Sequence, residues 1–223
     1  MHADNIYLSF CDYLLKHPDV FGCVLGKCAS FHVVDIVLCF FVRSQLHDAL
    51  LCLMKQEVDS NKARGLETET FRGESPAIIL VSACLSLDNV VQYRTDVVGE
   101  ITTSIMARLS WNPKVMLKVL KEALKTLKKT VNRMPEELVM VLKTFAEATP
   151  NDHAIMPSVF FLRFICPALA QPKQGGLDKM PEEVAMSLLQ TAKALQLVAN
   201  RAEPTEGMFS YPVAKVRDPS CDC

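Results

Sequence analysis

Apolar residues recur at spacings of three and four along most of the chain, which is the period of a helix with one buried face. The clearest case follows Asn112-Pro113, where the apolar positions begin at Val115 and continue to Val131. Lysines fill the positions between them: Lys114, Lys118, Lys121, Lys125, Lys128 and Lys129. This pattern predicts one long amphipathic helix with a basic outer face.

Two further helix starts are marked by proline followed by acidic residues, Met134-Pro135-Glu136-Glu137 and Met180-Pro181-Glu182-Glu183. Proline in a first turn costs no hydrogen bond, and carboxylates favour the positive end of the helix dipole. No segment alternates with period two between hairpin turns. The sequence therefore predicts an all-α, multi-helix fold.

Polar or proline-containing breaks fall at residues 59–70, 150–153 and 171–179. None is long enough to join separate domains. From Ala202 onward, three prolines and a glycine replace the helical pattern. We therefore predict one helical domain over residues 1–201 and an irregular tail over 202–223.

The most apolar run extends from Phe31 to Val42 and contains Asp35. It is well short of the roughly 20 residues that a helix needs to cross a bilayer, so it predicts a buried helix. The N-terminal residues carry no basic stretch of the kind that opens a signal peptide. We expect a cytoplasmic protein.

Composition narrows the choice of chemistry. Only 8 of 223 residues are Gly and the formal charge is −1, which argues against Gly-rich phosphate loops and against a general affinity for nucleic acid. The run from Gly22 to Cys28 resembles a P-loop, but it is one residue short between its glycines and has Cys where Ser or Thr would hold Mg²⁺. A structural turn is the better interpretation.

The chain has nine cysteines, an odd number that cannot all pair within it, and most lie in apolar stretches. This usage is typical of thiols that fill a core in a reducing compartment. No pair has the spacing of a zinc site; Cys23 with Cys28 and Cys221 with Cys223 come nearest. We expect no bound metal.

The apolar run over residues 160–172 carries a single cation, Arg163, and we expect its helix to end at Pro167. A guanidinium among apolar side chains must reach hydrogen-bond acceptors. The alternative is an Arg whose stem is buried while its head reaches solvent.

This run matches the signature of one family: Phe-Leu-Arg, three residues, Pro-Ala, three residues and Pro. Every fixed position is met, by Phe161, Leu162, Arg163, Pro167, Ala168 and Pro172. Two more blocks agree in order, Phe71-Arg72-Gly73-Glu74-Ser75 upstream and Lys193-Ala-Leu195-Gln196-Leu-Val-Ala199-Asn200 downstream. The chain thus resembles the Ras GTPase-activating protein (RasGAP) domain, with a neurofibromin-like catalytic core. The family continues with more helix after its Asn, so the resemblance implies a core shortened at its C-terminal end.

The resemblance implies a helical fold and an arginine finger. Ras-like GTPases hydrolyse GTP slowly because they lack a cation for the charge that grows on the phosphate oxygens, and the activator supplies an Arg in trans. Arg72 matches that finger. Arg163 matches the second Arg of the family, which stabilises the finger loop. Without the resemblance, Arg72 would be an ordinary surface Arg in a polar loop.

The remaining site residues implied by the resemblance belong to a groove for the GTPase. Leu162 would lie at its edge, while Lys193, Gln196 and Asn200 share one polar helix face. A solvated polar face is the alternative for these three. The family pattern is not met everywhere, since Glu74 puts an anion beside the finger and Met186 stands where many members have Arg.

These observations predict an activator, not an enzyme with its own substrate: a monomer that binds a Ras-family GTPase in its GTP state. GTP and Mg²⁺ would belong to the partner, and no cofactor is expected. The alternative is a scaffold that binds such a GTPase without activating it, although Arg72 favours the activator. The basic helix could also dock on the cytoplasmic face of a membrane, or it could be a solvated charged face.

Overall fold

We describe a computed structural model of the chain. It describes residues 9, 12–14, 16–17, 20–22, 43–106, 112–152, 155–171, 181–200 and 210–217. Three predicted features lie outside this part: the buried helix over 31–42, the P-loop-like turn beyond Gly22, and residues 172–179 of the third break. All regular structure in these ranges is helical, which confirms the all-α prediction.

The helices follow in order, labelled here in sequence. They are α1 Arg43–Ala63, α2 Pro76–Cys84, α3 Asp88–Met106, α4 Pro113–Thr130, α5 Glu136–Ala148, α6 Ile155–Val159, α7 Cys166–Ala170, α8 Glu182–Ala199 and α9 Ser210–Arg217. Short 3-10 turns occupy Glu67–Glu69 and Val131–Arg133, and a π-helix over Phe160–Ile165 joins α6 to α7. No one of these helices is both long and apolar enough to span a membrane; α2 and α3 reach that length and hydropathy only when taken together.

The chain divides into two compact units, and the single helical domain over 1–201 stays a prediction. The first unit comprises Met1–Leu87 with Glu136–His153, and the second comprises Asp88–Pro135 with Ala154–Cys223. In the first unit α1 packs against α2 and α5, and α2 packs against α5. Their shared core contains fully buried Leu50, Met54, Leu80, Leu138 and Phe145.

In the second unit α8 packs against the π-helix and against α3, α4, α7 and α9. Its core includes Ile101, Met116, Leu120, Leu188 and Leu195, each at most 1% exposed. The Tyr93 hydroxyl of α3 donates to the carbonyl and hydroxyl oxygens of Thr130, at 3.4 and 3.2 Å, and so joins α3 to the end of α4.

The predicted amphipathic helix is confirmed as α4. Its N-cap is Asn112, whose side-chain oxygen accepts from the Val115 N–H at 3.0 Å, and Pro113 occupies the first turn. The apolar face is buried through Met116, Val119 and Leu120, while all six lysines are exposed.

Two sequence-based boundaries are corrected. The polar break predicted from Asp59 starts later, because α1 continues to Ala63 with its polar last turn facing solvent. The tail over 202–223 is not wholly irregular, since Ser210–Arg217 is helical. Pro212 lies in the first turn of α9, where a missing N–H breaks no helical bond, so this proline is compatible with a helix. The rest of the tail lies outside the described residues.

Three cysteines fall in the described ranges, and all are free thiols: Cys52, Cys84 and Cys166. Burial raises the pKa of both Cys84 and Cys166 to about 12, so these thiols stay protonated at neutral pH. They serve as core residues, as the sequence predicts. The other six lie outside the described residues.

Replacing the α4 cap tests the helix start. Asn112→Ala leaves the Val115 N–H without its acceptor, which should lower the free energy of unfolding by about 1 kcal/mol. The measurement is the urea midpoint at constant m-value. Asn132→Ala, at an exposed position beyond the end of α4, is the control and should change it by less than about 0.5 kcal/mol. Equal effects of the two substitutions would contradict the cap.

Candidate functional site

Arg72 lies in a short loop of the first unit, residues 70–75, which we call the Arg72 loop. It connects the 3-10 turn Glu67–Glu69 to the start of α2. The Arg72 backbone N–H donates to the Glu69 carbonyl at 3.1 Å, and the residue itself is exposed, as are Gly73 and Glu74. The backbone of the loop is therefore held while its central side chains face solvent.

Phe71 anchors this loop from inside. Its side chain is only 4% exposed, and its ring meets the Phe145 ring of α5 edge to face, with centroids 5.0 Å apart. The Phe71 backbone has φ +61°, in the left-handed region that bulky residues avoid. Such a conformation costs about 1–3 kcal/mol and persists only where surrounding contacts enforce it.

Glu57 of α1 binds the Arg72 loop at both ends. One carboxylate oxygen accepts from the Phe71 backbone N–H at 2.7 Å, and the other accepts from the Ser75 hydroxyl. Ser75 is also the N-cap of α2, because its hydroxyl oxygen accepts from the Ile78 N–H at 3.2 Å. The first turn of α2 contains Pro76, whose missing N–H costs no helical hydrogen bond at this position.

A cleft of about 420 Å³ opens beside these contacts. It is lined by Gly22, Leu53, Gln56, Glu57, Ser60, Asn61, Arg64, Glu74, Ser75, Pro76 and Ala77. Asn61 on its wall donates from its side-chain amide to the Thr70 hydroxyl at 3.3 Å. The Arg72 loop is thus bonded to α1 on one side and borders open space on another.

Leu162 and Arg163 lie in the π-helix of the second unit, and both are half-buried. The prediction that Pro167 ends this helix is wrong, because α7 continues to Ala170. In the wider π turn the Cys166 N–H bonds to the Phe161 carbonyl, five residues back. This widening accommodates Pro167, which has no N–H to donate to an earlier carbonyl.

The orientation of the π-helix is fixed by rings and by α8. The buried Phe164 ring stacks near Tyr93 of α3, with centroids 6.2 Å apart, and the Arg94 guanidinium lies 5.6 Å from the same ring. Burial lowers the pKa of Arg94 from its usual value. On the other side, the Cys166 thiol donates to the Ala192 carbonyl at 3.5 Å, which joins α7 to α8.

The predicted polar face of α8 is present at its C-terminal half. Lys193 is exposed, Gln196 is half-buried, and exposed Asn200 is the C-cap, with its backbone N–H bonded to the Gln196 carbonyl at 2.9 Å. Met186, one turn into the same helix, is 52% exposed. Arg217 of α9 donates to the Leu197 carbonyl at 2.6 Å and so supports this end of α8.

The structure thus groups five of the six predicted site residues in the second unit. Leu162 and Arg163 lie on the π-helix, and Lys193, Gln196 and Asn200 lie on or cap α8, which packs against it. Arg72 lies in the first unit. The roles of all six stay predictions. Nothing in the sequence singles out Glu57, since an acidic residue in a polar helical stretch is ordinary; only its contacts reveal it.

The chain matches a known family model, and it does so over the segment that carries most of these residues. The RasGAP model, described as the GTPase-activator protein for Ras-like GTPase, matches residues 86–200. The matched range contains Leu162, Arg163 and the α8 face, and it begins after Arg72. No curated protein matches the chain significantly. Because the family model covers more than half of the chain, the chain belongs to the RasGAP family of GTPase activators for Ras-like GTPases.

Proposed function

We propose that this chain accelerates GTP hydrolysis by a Ras-like GTPase by inserting Arg72 beside the phosphates in trans. The observation that carries the proposal is the Arg72 loop, in which an exposed Arg lies between a buried Phe and a bonded Ser. A guanidinium stays charged and offers a planar fork of donors, which suits the oxygens of a transferring phosphoryl group. Family membership supplies the kind of partner.

In this proposal the chain performs no turnover of its own. GTP and Mg²⁺ belong to the GTPase, and the chain contributes positive charge where negative charge develops in the transition state. Holding the loop before the partner arrives reduces the entropy that ordering would otherwise cost at that moment. A fixed backbone with an exposed side chain therefore suits the role.

The partner would bind along the second unit. Lys193 would face acidic groups of the GTPase, while Gln196 and Asn200 would make polar contacts and Leu162 would lie at the edge of the groove. Such a polar rim mainly governs specificity and the association rate. Arg163 would position the Arg72 loop and would not touch phosphate. The neurofibromin-like assignment is part of this proposal and rests on the three sequence blocks.

A scaffold that binds the GTPase without activating it is the competing proposal. Loss of activation would be expected if the finger position held another residue or if its loop were unsupported. The chain has Arg72, and the loop is bonded at residues 70, 71 and 75. These observations favour the activator.

A specific pattern on α4 favours peripheral membrane recruitment as a second property. Five exposed lysines of α4 are separated by alternating steps of four and three residues: Lys114, Lys118, Lys121, Lys125 and Lys128. This lysine row, as we call it, follows one side of the helix for about 20 Å. Glu122 is the acidic residue of α4 and lies 4.0 Å from Lys125. A straight row of cations matches a flat surface of anionic lipid.

Arg72→Ala tests the finger. The expected result is a loss of about 10³-fold or more in the single-turnover rate of GTP hydrolysis, measured with a panel of Ras, Rap and Rho-type GTPases. Arg72→Lys should also lose most of the acceleration, because an ammonium lacks the planar fork. Arg64→Ala, at an exposed arginine of the same unit, is the control and should keep it.

The same assay separates the competing proposals. If the wild-type chain binds a GTP-loaded member of the panel and accelerates none, the scaffold proposal stands. If acceleration survives Arg72→Ala, another group supplies the charge and the finger assignment is wrong.

Lys193→Glu tests the proposed groove. Reversing this exposed charge should raise the half-saturating concentration of activator about tenfold or more, with the maximal rate nearly unchanged. The loss should shrink as salt concentration rises, because screening weakens attraction and repulsion alike. Lys143→Glu on α5 makes the same charge change as a control. An equal loss for both variants would show a general charge effect and contradict the groove.

The lysine row is tested with vesicles. The triple variant Lys118→Gln, Lys121→Gln and Lys125→Gln should bind vesicles of phosphatidylcholine with about 30% phosphatidylserine at least tenfold more weakly, given roughly 1 kcal/mol per lysine. The control replaces three exposed lysines of the first unit, Lys55, Lys62 and Lys143, by Gln. Wild-type binding that is absent, or equal on pure phosphatidylcholine, would overturn this recruitment proposal.

A further inference from the structure

We propose that Glu57 is a positioning residue for the Arg72 finger, acting by binding both ends of its loop through one carboxylate. This inference rests on the proposed function of Arg72 and adds a residue outside the range that the family model matches. Glu57 makes no contact with the partner in this proposal. It acts through the backbone of the loop.

The first support is geometric. The two oxygens of Glu57 accept from Phe71, immediately before the finger, and from Ser75, three residues after it. Three residues lie between these two bonds, and all are exposed: Arg72, Gly73 and Glu74. One side chain of α1 thus fixes the separation between the two ends of the segment that presents the guanidinium.

The second support is the backbone of Phe71. Its positive φ turns the chain just before Arg72, and the backbone N–H of Phe71 donates to Glu57. The Phe71 ring is buried against Phe145, while the backbone N–H of the same residue donates to Glu57 at 2.7 Å. An ionised acceptor forms a shorter and stronger bond than a neutral one, so a carboxylate suits this place.

The third support is the coupling to α2. Ser75 donates to Glu57 with its hydroxyl hydrogen and accepts the Ile78 N–H with its oxygen. The carboxylate therefore also determines how the hydroxyl is oriented as a cap. Through Ser75 the loop is tied to the first turn of a helix whose Ala77, Ile78 and Leu80 are buried.

Glu57→Ala removes both bonds and should lower the maximal single-turnover rate about 10- to 100-fold, because a displacement of the order of 1 Å is costly at a reacting centre. The half-saturating concentration of activator should change less than about threefold, since the polar face of α8 is untouched.

Glu57→Gln keeps one acceptor for the Phe71 N–H and an amide that can bond to Ser75, so it should recover most of the rate. Ser75→Ala removes one of the two bonds and should give an intermediate loss. Amide hydrogen exchange at Phe71 should be faster in Glu57→Ala than in the wild type.

Asp59→Ala, which removes an exposed carboxylate from the same helix, is the matched control and should leave rate and exchange unchanged. Because Glu57 lines an open cleft, truncation does not create a closed cavity. If Glu57→Ala nevertheless fails to fold, Glu57→Gln and Ser75→Ala still report on the loop.

A double-mutant comparison distinguishes this inference from the finger itself. In an Arg72→Ala background, Glu57→Ala should have no further effect on rate, because it acts only through Arg72. A further loss of rate in the Arg72→Ala background would overturn the positioning role. So would wild-type rates for Glu57→Ala and Ser75→Ala in an assay where Arg72→Ala is impaired. If Arg72→Ala itself keeps the wild-type rate, the proposed function fails first.

Discussion

The arrangement around Arg72 depends on one constraint, the placement of the Phe71 ring in the core while its backbone turns into the left-handed region. Burying an aromatic side chain contributes about 1.5–3 kcal/mol, and the strain of positive φ costs a similar amount. In our proposal the bonds of Glu57 to the Phe71 N–H and the Ser75 hydroxyl add to the stability of this backbone conformation. Because Arg72 directly follows Phe71, the backbone conformation of Phe71 sets the direction in which the chain continues at Arg72.

The π-helix imposes a comparable constraint in the second unit. Three consecutive residues are fully buried, Phe164, Ile165 and Cys166, so the packing of these side chains in the core fixes the register of this segment. A turn of five residues rotates the following positions relative to an α-helix, which lets Pro167 continue the run. Leu162 and Arg163 lie within this π-helix and are half-buried.

The sequence predicts the local features well and the long-range ones poorly. Periodicity and the Asn112-Pro113 start were enough to predict α4, because both signals are local in the sequence, whereas the Asn112 cap is seen only in the structure. The helical part of the tail depends instead on distant partners, including the bond from Arg217 to Leu197, twenty residues earlier. Glu57 lies fourteen residues before Phe71, and no periodicity encodes that contact. The six candidate site residues come from motif matches, and their roles stay predictions.

The family match and the loop geometry support different parts of the function. The match begins at residue 86, so it identifies the helices that carry Leu162, Arg163 and Lys193 without including Arg72. The argument for Arg72 is physical: an exposed cation, a strained and buried neighbour, and a carboxylate that bonds on both sides of it. Strain of this kind costs stability, and in natural proteins it is concentrated at functional sites. The strain lies one residue before Arg72, the only arginine of the loop, and this position supports the finger role that we propose.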